Sequence, residues 1–389
     1  MKSTDSNTRE RLHALDALRG LAAMGVAFFW HYTHFNFAFF LAHPDHMPFY
    51  RQFHWLYSYA WNFVDFFFVL SGFIFMRTYT HRIMAGQITF RTYAINRISR
   101  LYPLHLLTLI IVTLQLLWMH AHGKTLIYTD NDFLHFVFNL FMVQAAWFDM
   151  TQTFNGPSWS IATEIIGYLL FFAVVSRLKT RTQMNAAFCV FIYLGVHQLY
   201  KGGEFLLFNN FTARVMLGFF VGCLACQFER ILAKNRPLSV AFQTTFCAAS
   251  TICVWASCHY GFEEFFGRYD IILPLVAYPA LIIFVSVCSP VNRALSIAPL
   301  RILGECSFSL YLWHYPVQTF LRFLFAHFDI SAESGWTWGI YVATVLPVAA
   351  ISHFYFEMPV QKYIRKFANQ RGISATQGSS LQRNNEFSR

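Results

Sequence analysis

Apolar residues run along this chain in blocks near 15–38, 57–76, 101–119, 159–176, 186–200, 211–228, 238–258, 271–289, 303–326 and 337–357. A helix needs roughly 17 to 25 such residues to cross the hydrocarbon core of a bilayer. The pattern therefore predicts an all-α, polytopic membrane bundle of about ten transmembrane helices. A further block, 133–148, is shorter and is interrupted by His135, Asn139 and Gln144. Charge decides whether it crosses. With ten spans, 23 of the 29 Lys and Arg residues fall on the side of the N-terminus. If 133–148 also crosses, the last 14 of those 23 change sides and the positive-inside bias fails in the second half of the chain. The block is accordingly read as re-entrant or interfacial, with both termini cytoplasmic. The expected divisions are a cytoplasmic N-terminus (1–14), a membrane domain (15–366) and a Ser/Gln/Asn-rich disordered cytoplasmic tail (367–389).

Composition supports the membrane class. The 389 residues are 56% hydrophobic and 12% charged, with 46 Phe and a mean hydropathy of +0.40, against about 25% charged residues in soluble domains. The net charge of +10 lies in small groups between apolar runs and forms no basic patch interleaved with aromatics. Membrane lipid, not nucleic acid, is the partner it implies. The first apolar block is too long for the core of a cleaved signal peptide and has no small-residue cleavage site after it, so it reads as an uncleaved first span. The eight cysteines mostly lie within apolar blocks and read as small buried hydrophobes, Cys223 and Cys226 included, and no metal site is expected.

Ionisable residues in such blocks mark candidate chemistry, because they are costly there unless they face an interior or a cavity. The stretch LDALRGLAAMGVAFFWHYTH holds Asp16 and Arg19 at one end and His31 and His34 at the other. In a straight helix Arg19 and His31 are about 18 Å apart along the axis. In the second block, Asp65 lies among phenylalanines and needs a partner, with Arg19, His31 or another buried donor as candidates. Ser71 and Gly72 there form a small pair that allows close backbone approach. Arg97 and Arg100, one turn apart, suit either phosphate recognition or an ordinary positive-inside cluster, and Tyr102-Pro103 reads as the start of the third span. In NGPSWSIATEIIGYLLFF, Ser158 or Ser160 can cap the helix, and Glu164 and Tyr168 share a face. Glu164 could be a general base, orient a histidine or bind sugar hydroxyls. SFSLYLWHYPV carries His314 as a cavity candidate, and Glu357 reads as structural. Buried Asp, Glu and His also suit a transporter or flippase of a sugar or lipid-linked glycan. No internal repeat and no paired broken helices support that alternative.

The pieces LDALRGLAA, FFFVLSGF, NRISRLYPLHL, GPSWSIATE and SFSLYLWHYPV occur in the order found in acyltransferase family 3, the integral-membrane O-acyltransferases of bacterial glycans, and the chain resembles that family from about Leu12 to Arg365. The resemblance implies ten core spans in the bacterial inner membrane. It also implies transfer of an acyl group, usually acetyl, from cytoplasmic acyl-CoA to a carbohydrate hydroxyl at the outer face, and leaves open whether a separate periplasmic partner completes the transfer. By position, His31 would be the catalytic histidine with Arg19 as its motif partner, and Asp65 and Glu164 match motif positions linked to activity; the expected mechanism has Asp65 or Glu164 orienting His31. Arg97 and Arg100 would contact CoA. Ser71, Gly72, Trp159, Ser160, Tyr168, His34 and His314 would line the substrate or acyl path. The family usually has ten residues between the arginine and the histidine, and here there are eleven. One extra residue turns His31 by about 100° unless a π-bulge absorbs it; His34, three residues on, is the fallback.

Overall fold

The computed structural model describes residues 2–123, 127–128, 130–147, 151–203, 208–260 and 268–368; the expected tail lies outside the described residues from position 369 onward. These residues form a polytopic helix bundle. Its long helices are α1 (Lys2–Gly25), α2 (Phe63–Thr78), α3 (Phe90–Ala121), α4 (Trp159–Arg177), α5 (Arg181–Lys201), α6 (Asn210–Leu232), α7 (Arg236–Tyr260), α8 (Tyr278–Val287), α9 (Ser307–His327) and α10 (Gly335–Ser352). Helical leaders extend several of them. Among the described residues, seven passages are long and apolar enough to cross a membrane: Tyr50–Thr78, Phe90–Ala121, Gly156–Arg177, Asn210–Leu232, Arg236–Ser257, Tyr269–Val287 and Gly335–Ala368. Helices α1, α5 and α9, of 24, 21 and 21 residues, are not among these seven. Outward faces carry large apolar side chains such as Ile110, Leu114, Ile252 and Val254, as a surface solvated by hydrocarbon requires.

Several helix starts follow from local side chains. Thr89, Thr180, Asn209 and Ser334 accept hydrogen bonds from backbone N–H groups in the first turns of α3, α5, α6 and α10, the usual role of such residues at an N-cap. The Thr89 cap corrects the expectation for the third span: α3 begins at Phe90, twelve residues before Tyr102, and Pro103 lies inside it. Neighbouring helices support Pro103's turn, with Arg365 donating to Ser99 Oγ (3.2 Å) and to Asn96 O (3.3 Å). Neither Ser158 nor Ser160 caps α4; Ser158 Oγ instead accepts from Gln144 Nε2 (3.0 Å). The block 133–148 does not cross. It forms one eight-residue helix, Phe133–Leu140, followed by turns, and its Phe133, Leu134 and Phe141 are exposed.

Small residues set the closest contacts. A Cβ at Gly72 would stand 1.7 Å from the Phe219 carbonyl oxygen, and one at Gly222 would stand 1.9 Å from that of Val69. The α2 and α6 backbones therefore touch, as small residues allow in membrane bundles. On the other side, Gly304 of the short helix Ala298–Glu305 leaves no room for a side chain against Asp16 of α1. That contact places the Arg19 turn of α1 beside the start of α9.

The run after α1 decides where His31 points. Val26–Trp30 is a π-helical turn, and His31–Phe35 tightens into a 3₁₀ turn. A π-turn accommodates one residue more than an α-helix without rotating the residues after it. The eleventh residue between Arg19 and His31 is taken up in this way.

Candidate active site

A cavity of about 800 Å³, its mouth included, opens among α1, α2, α3, α4 and α9. Its walls hold Arg19, Ser71, Arg97, Arg100, Ser160, Glu164 and Tyr168 from the sequence candidates, together with Ser307 and Tyr311. Arg19 is fully engaged. Its Nε donates to Ser307 Oγ (2.7 Å), its Nη2 donates to Gly304 O (2.8 Å), and Asp16 pairs with it at 3.1 Å. Arg97 donates to the Tyr79 hydroxyl (2.6 Å) and lies over the Phe75 and Tyr79 rings, 4.9 and 5.1 Å from their centroids. Arg100, one turn further along α3, has no hydrogen-bond or ion-pair partner among the described residues. Glu164 lines the same cavity as Ser71, Tyr168, Arg97 and Arg100. Two guanidinium groups without a bonded carboxylate thus face one carboxylate and several hydroxyls, which leaves the cavity electropositive and suited to an anionic ligand.

The far end is closed by Tyr311. Its hydroxyl lies 2.9 Å from Ser160 Oγ and donates to Pro157 O (3.1 Å), and its ring packs edge-on against Phe67 and against His314, 5.7 and 5.6 Å between centroids. Behind it is a cluster of imidazoles. The His314 ring lies 4.6 Å from that of His31, and His34 stacks on His31 at 5.2 Å. His34 is tied to the Trp30 carbonyl (3.3 Å) and Thr33 Oγ1 (3.1 Å). The Gln318 side chain donates to the His31 carbonyl. Buried atoms here lack partners: Nδ1 of His31, both ring nitrogens of His314 and Oε1 of Gln318. Orphaned buried polar atoms are rare in folded proteins, and a catalytic role is one established reason for them. Among the described residues, no three His, Cys, Asp or Glu side chains gather as a metal ion would require.

Several sequence-predicted residues stand elsewhere. Asp65 is bonded through both oxygens to Arg214 of α6, at 2.8 and 3.1 Å. The guanidinium lies between the Trp61 and Trp159 rings, 5.1 and 5.0 Å from their centroids. The expectation that Asp65 or Glu164 orients His31 is not met: Asp65 is held by Arg214, and Glu164 lines the cavity without a hydrogen bond to His31 among the described residues. Trp159 is part of the Arg214 clamp and is absent from the cavity lining. Gly72 serves the α2–α6 contact. Sequence reasoning missed Arg214, although a cation five residues after Asn209 in an otherwise apolar run was a visible sign. It also passed over Tyr311, whose aromatic neighbours Trp313 and Tyr315 resemble an ordinary interfacial belt.

The described residues thus define a multi-pass membrane protein with an electropositive cavity leading toward buried imidazoles. The family profile described as an acyltransferase domain matches residues 12–354, and the chain belongs to this family, acyltransferase family 3. Among its relatives, YrhL of Bacillus subtilis (strain 168) is 25% identical over 329 residues, covering 77% of this chain and 50% of the relative. Peptidoglycan O-acetyltransferase OatA of Listeria monocytogenes is 24% identical over 390 residues, covering 93% and 58%. O-acetyltransferase OatA of Staphylococcus aureus (strain NCTC 8325 / PS 47) is 24% identical over 330 residues, covering 77% and 52%. The chain spans about half the length of the curated relatives it matches. No solved structure matches it.

Proposed function

We propose that the chain is a membrane O-acetyltransferase, taking an acetyl group from acetyl-CoA that enters from the side of the N-terminus and passing it to a carbohydrate hydroxyl at the opposite face. The observation that carries this reading is the cavity that joins Arg97, Arg100 and Glu164 at one end to Tyr311 and, behind it, the His31–His314 pair. Family membership and the names of the Listeria and Staphylococcus relatives support the reaction type and a glycan acceptor.

In this scheme Arg97 and Arg100 hold the phosphates of the donor, a task for which planar guanidinium groups are suited. Glu164, with Ser71 and Tyr168, orients the polar part of the pantetheine arm. The Tyr311 ring swings from its bonds to Ser160 and Pro157 to admit the thioester. His31 removes the proton of the acceptor hydroxyl, the hydroxyl oxygen attacks the thioester carbonyl, the C–S bond breaks as the C–O bond forms, and the proton passes to the departing thiolate. Arg19, held by Ser307 and Gly304, fixes the register of α1 against α9 and so the height of His31 within the bundle.

The test is acetyl-CoA-dependent release of CoA thiol by membranes bearing the full chain, with a glycan supplied. His31→Ala should lower the rate by about 10²-fold or more, the usual contribution of a general base, with membrane insertion unchanged. Full activity in that variant would remove His31 from the mechanism. Export of the glycan without thiol release would favour a transporter.

A further inference from the structure

The face of α9 that begins at Tyr311 continues past the imidazoles. His314, Gln318 and Arg322 come next, at intervals of three or four residues, and so share that face. Side chains on a helix tilt toward its N-terminus, which leans Arg322 back toward Gln318 and His314. His314 and Gln318 have no exposed surface, and His31 is only 7% exposed. Each of the three nevertheless has an unpartnered polar atom. Arg322 is partly exposed and has no hydrogen-bond or ion-pair partner among the described residues. It lies near enough to His34 and Tyr315 for its charge to act on both.

Topology does not account for this arginine. On the ten-span reading it is one of only six Lys or Arg residues away from the cation-rich side, so the positive-inside bias gives no reason for it. No protein carboxylate neutralises it within ion-pair distance among the described residues. An unpaired guanidinium on the same helix face as orphaned hydrogen-bonding atoms supplies the donors and acceptors that an oxyanion with attached hydroxyls would need.

Resting on the proposed acetyltransfer, we propose that the outer end of this stripe is the acceptor subsite, and that Arg322 selects a carbohydrate bearing a carboxylate or phosphate near the hydroxyl that is acylated. Gln318 and His314 would receive the sugar's hydroxyls, and the oxyanion would lie against Arg322. This places the acceptor oxygen beside His31. The acceptor class is then an acidic glycan and not a neutral one.

The experiment uses the full chain purified into phosphatidylcholine nanodiscs. Binding and acetyl transfer are measured for three tetrasaccharides: neutral N-acetylglucosamine units, a glucuronate-containing chain and a phosphorylated chain. A charge-assisted contact should favour the acidic probes by about tenfold in Kd. Arg322→Gln should bring that ratio to about one, and Arg322→Lys should keep part of it, since Lys retains the charge but not the fork. Retained binding of the neutral probe reports that each variant is folded. The carboxylate and phosphate arms identify the oxyanion. Equal affinity for acidic and neutral probes, or a preference that survives Arg322→Gln, overturns the proposal. So does a preference abolished by exchanging phosphatidylcholine for phosphatidylglycerol, which would assign Arg322 to lipid headgroups. An Arg322-dependent preference without acetyl transfer would remove the proposed reaction but leave the anion subsite standing. Transfer without a preference would do the reverse.

Discussion

Arg19, Arg97 and Arg100 line one cavity, yet their surroundings give them different work. Arg19 is saturated by Ser307, Gly304 and Asp16, and Arg97 is bonded to Tyr79 and packed on aromatic faces. Only Arg100 of the three brings an uncommitted guanidinium to the cavity. Arg100→Gln should therefore raise the KM for acetyl-CoA by about tenfold, the scale of one lost charge-assisted contact, with a smaller effect on kcat. Steady-state kinetics on purified protein checks this, and an unchanged KM would show that the donor does not use Arg100. The residue scale was also the hardest to read in the sequence. Asp65 announced a buried partner, but several donors were equally placed along the chain, and only the contact of α2 with α6 selects Arg214. The Tyr311 ring carries no sequence mark that separates a wall from a belt, whereas His314 was a visible cavity candidate.

At the scale of elements, the π-turn Val26–Trp30 reconciles two facts, an arginine-to-histidine interval one residue longer than usual and a His31 ring that still meets His314. The interval was legible in the sequence, and the bulge followed from it by geometry alone. Deleting one residue within Val26–Trp30 should regularise the helix and retain acetyl transfer, whereas inserting one alanine there should abolish it. Thiol release from acetyl-CoA measures both, and the opposite ranking would show that the bulge has no part in aiming His31. The start of α3 was less legible. Pro103 looked like a first-turn proline because the polar run before it resembles a loop, and the Thr89 cap outweighed that impression.

The interfacial helix Phe133–Leu140 supplies a pH-dependent element. Asp132 caps it, accepting from the His135 backbone N–H (2.9 Å) and facing His135 Nδ1 (2.8 Å). The backbone hydrogen bond from His135, helped by its side chain, holds the Asp132 carboxyl below its ordinary value. A depressed carboxyl stabilises the folded form above its unfolded pKa, and that contribution is lost as pH falls through the folded value. The cap should hold at neutral pH and weaken only below about pH 4, near the ordinary Asp value. Amide exchange at His135, compared with Asp132→Ala, should show a protection difference at pH 6 that is lost as the pH falls through the lowered Asp132 value.

For the whole molecule, the distribution of Lys and Arg was more informative than the apolar blocks themselves. The blocks left 133–148 ambiguous, and the charge count rejected it as a span. Its eight-residue helix agrees. On the same count, Arg97 and Arg100 of the cavity wall belong to the cations expected on the side of the N-terminus. A cysteine at Ser71, introduced into a variant lacking the native cysteines, should react with a membrane-impermeant thiol reagent added to inverted vesicles and be protected in intact spheroplasts. Labelling only from the outside would invert the topology and the direction of transfer.

Tyr311 has a consequence beyond chemistry. A protein that passes a group from one side of an energised membrane to the other runs the risk of becoming a leak, since a continuous wet bore would let protons run down the gradient that powers the cell. On the proposed reaction, the phenol bonded to Ser160 and Pro157 would stand between the cavity and the imidazoles and would have to move aside at each turnover. On that reading, insulation of the bilayer would rest on the same side chain that lines the cavity.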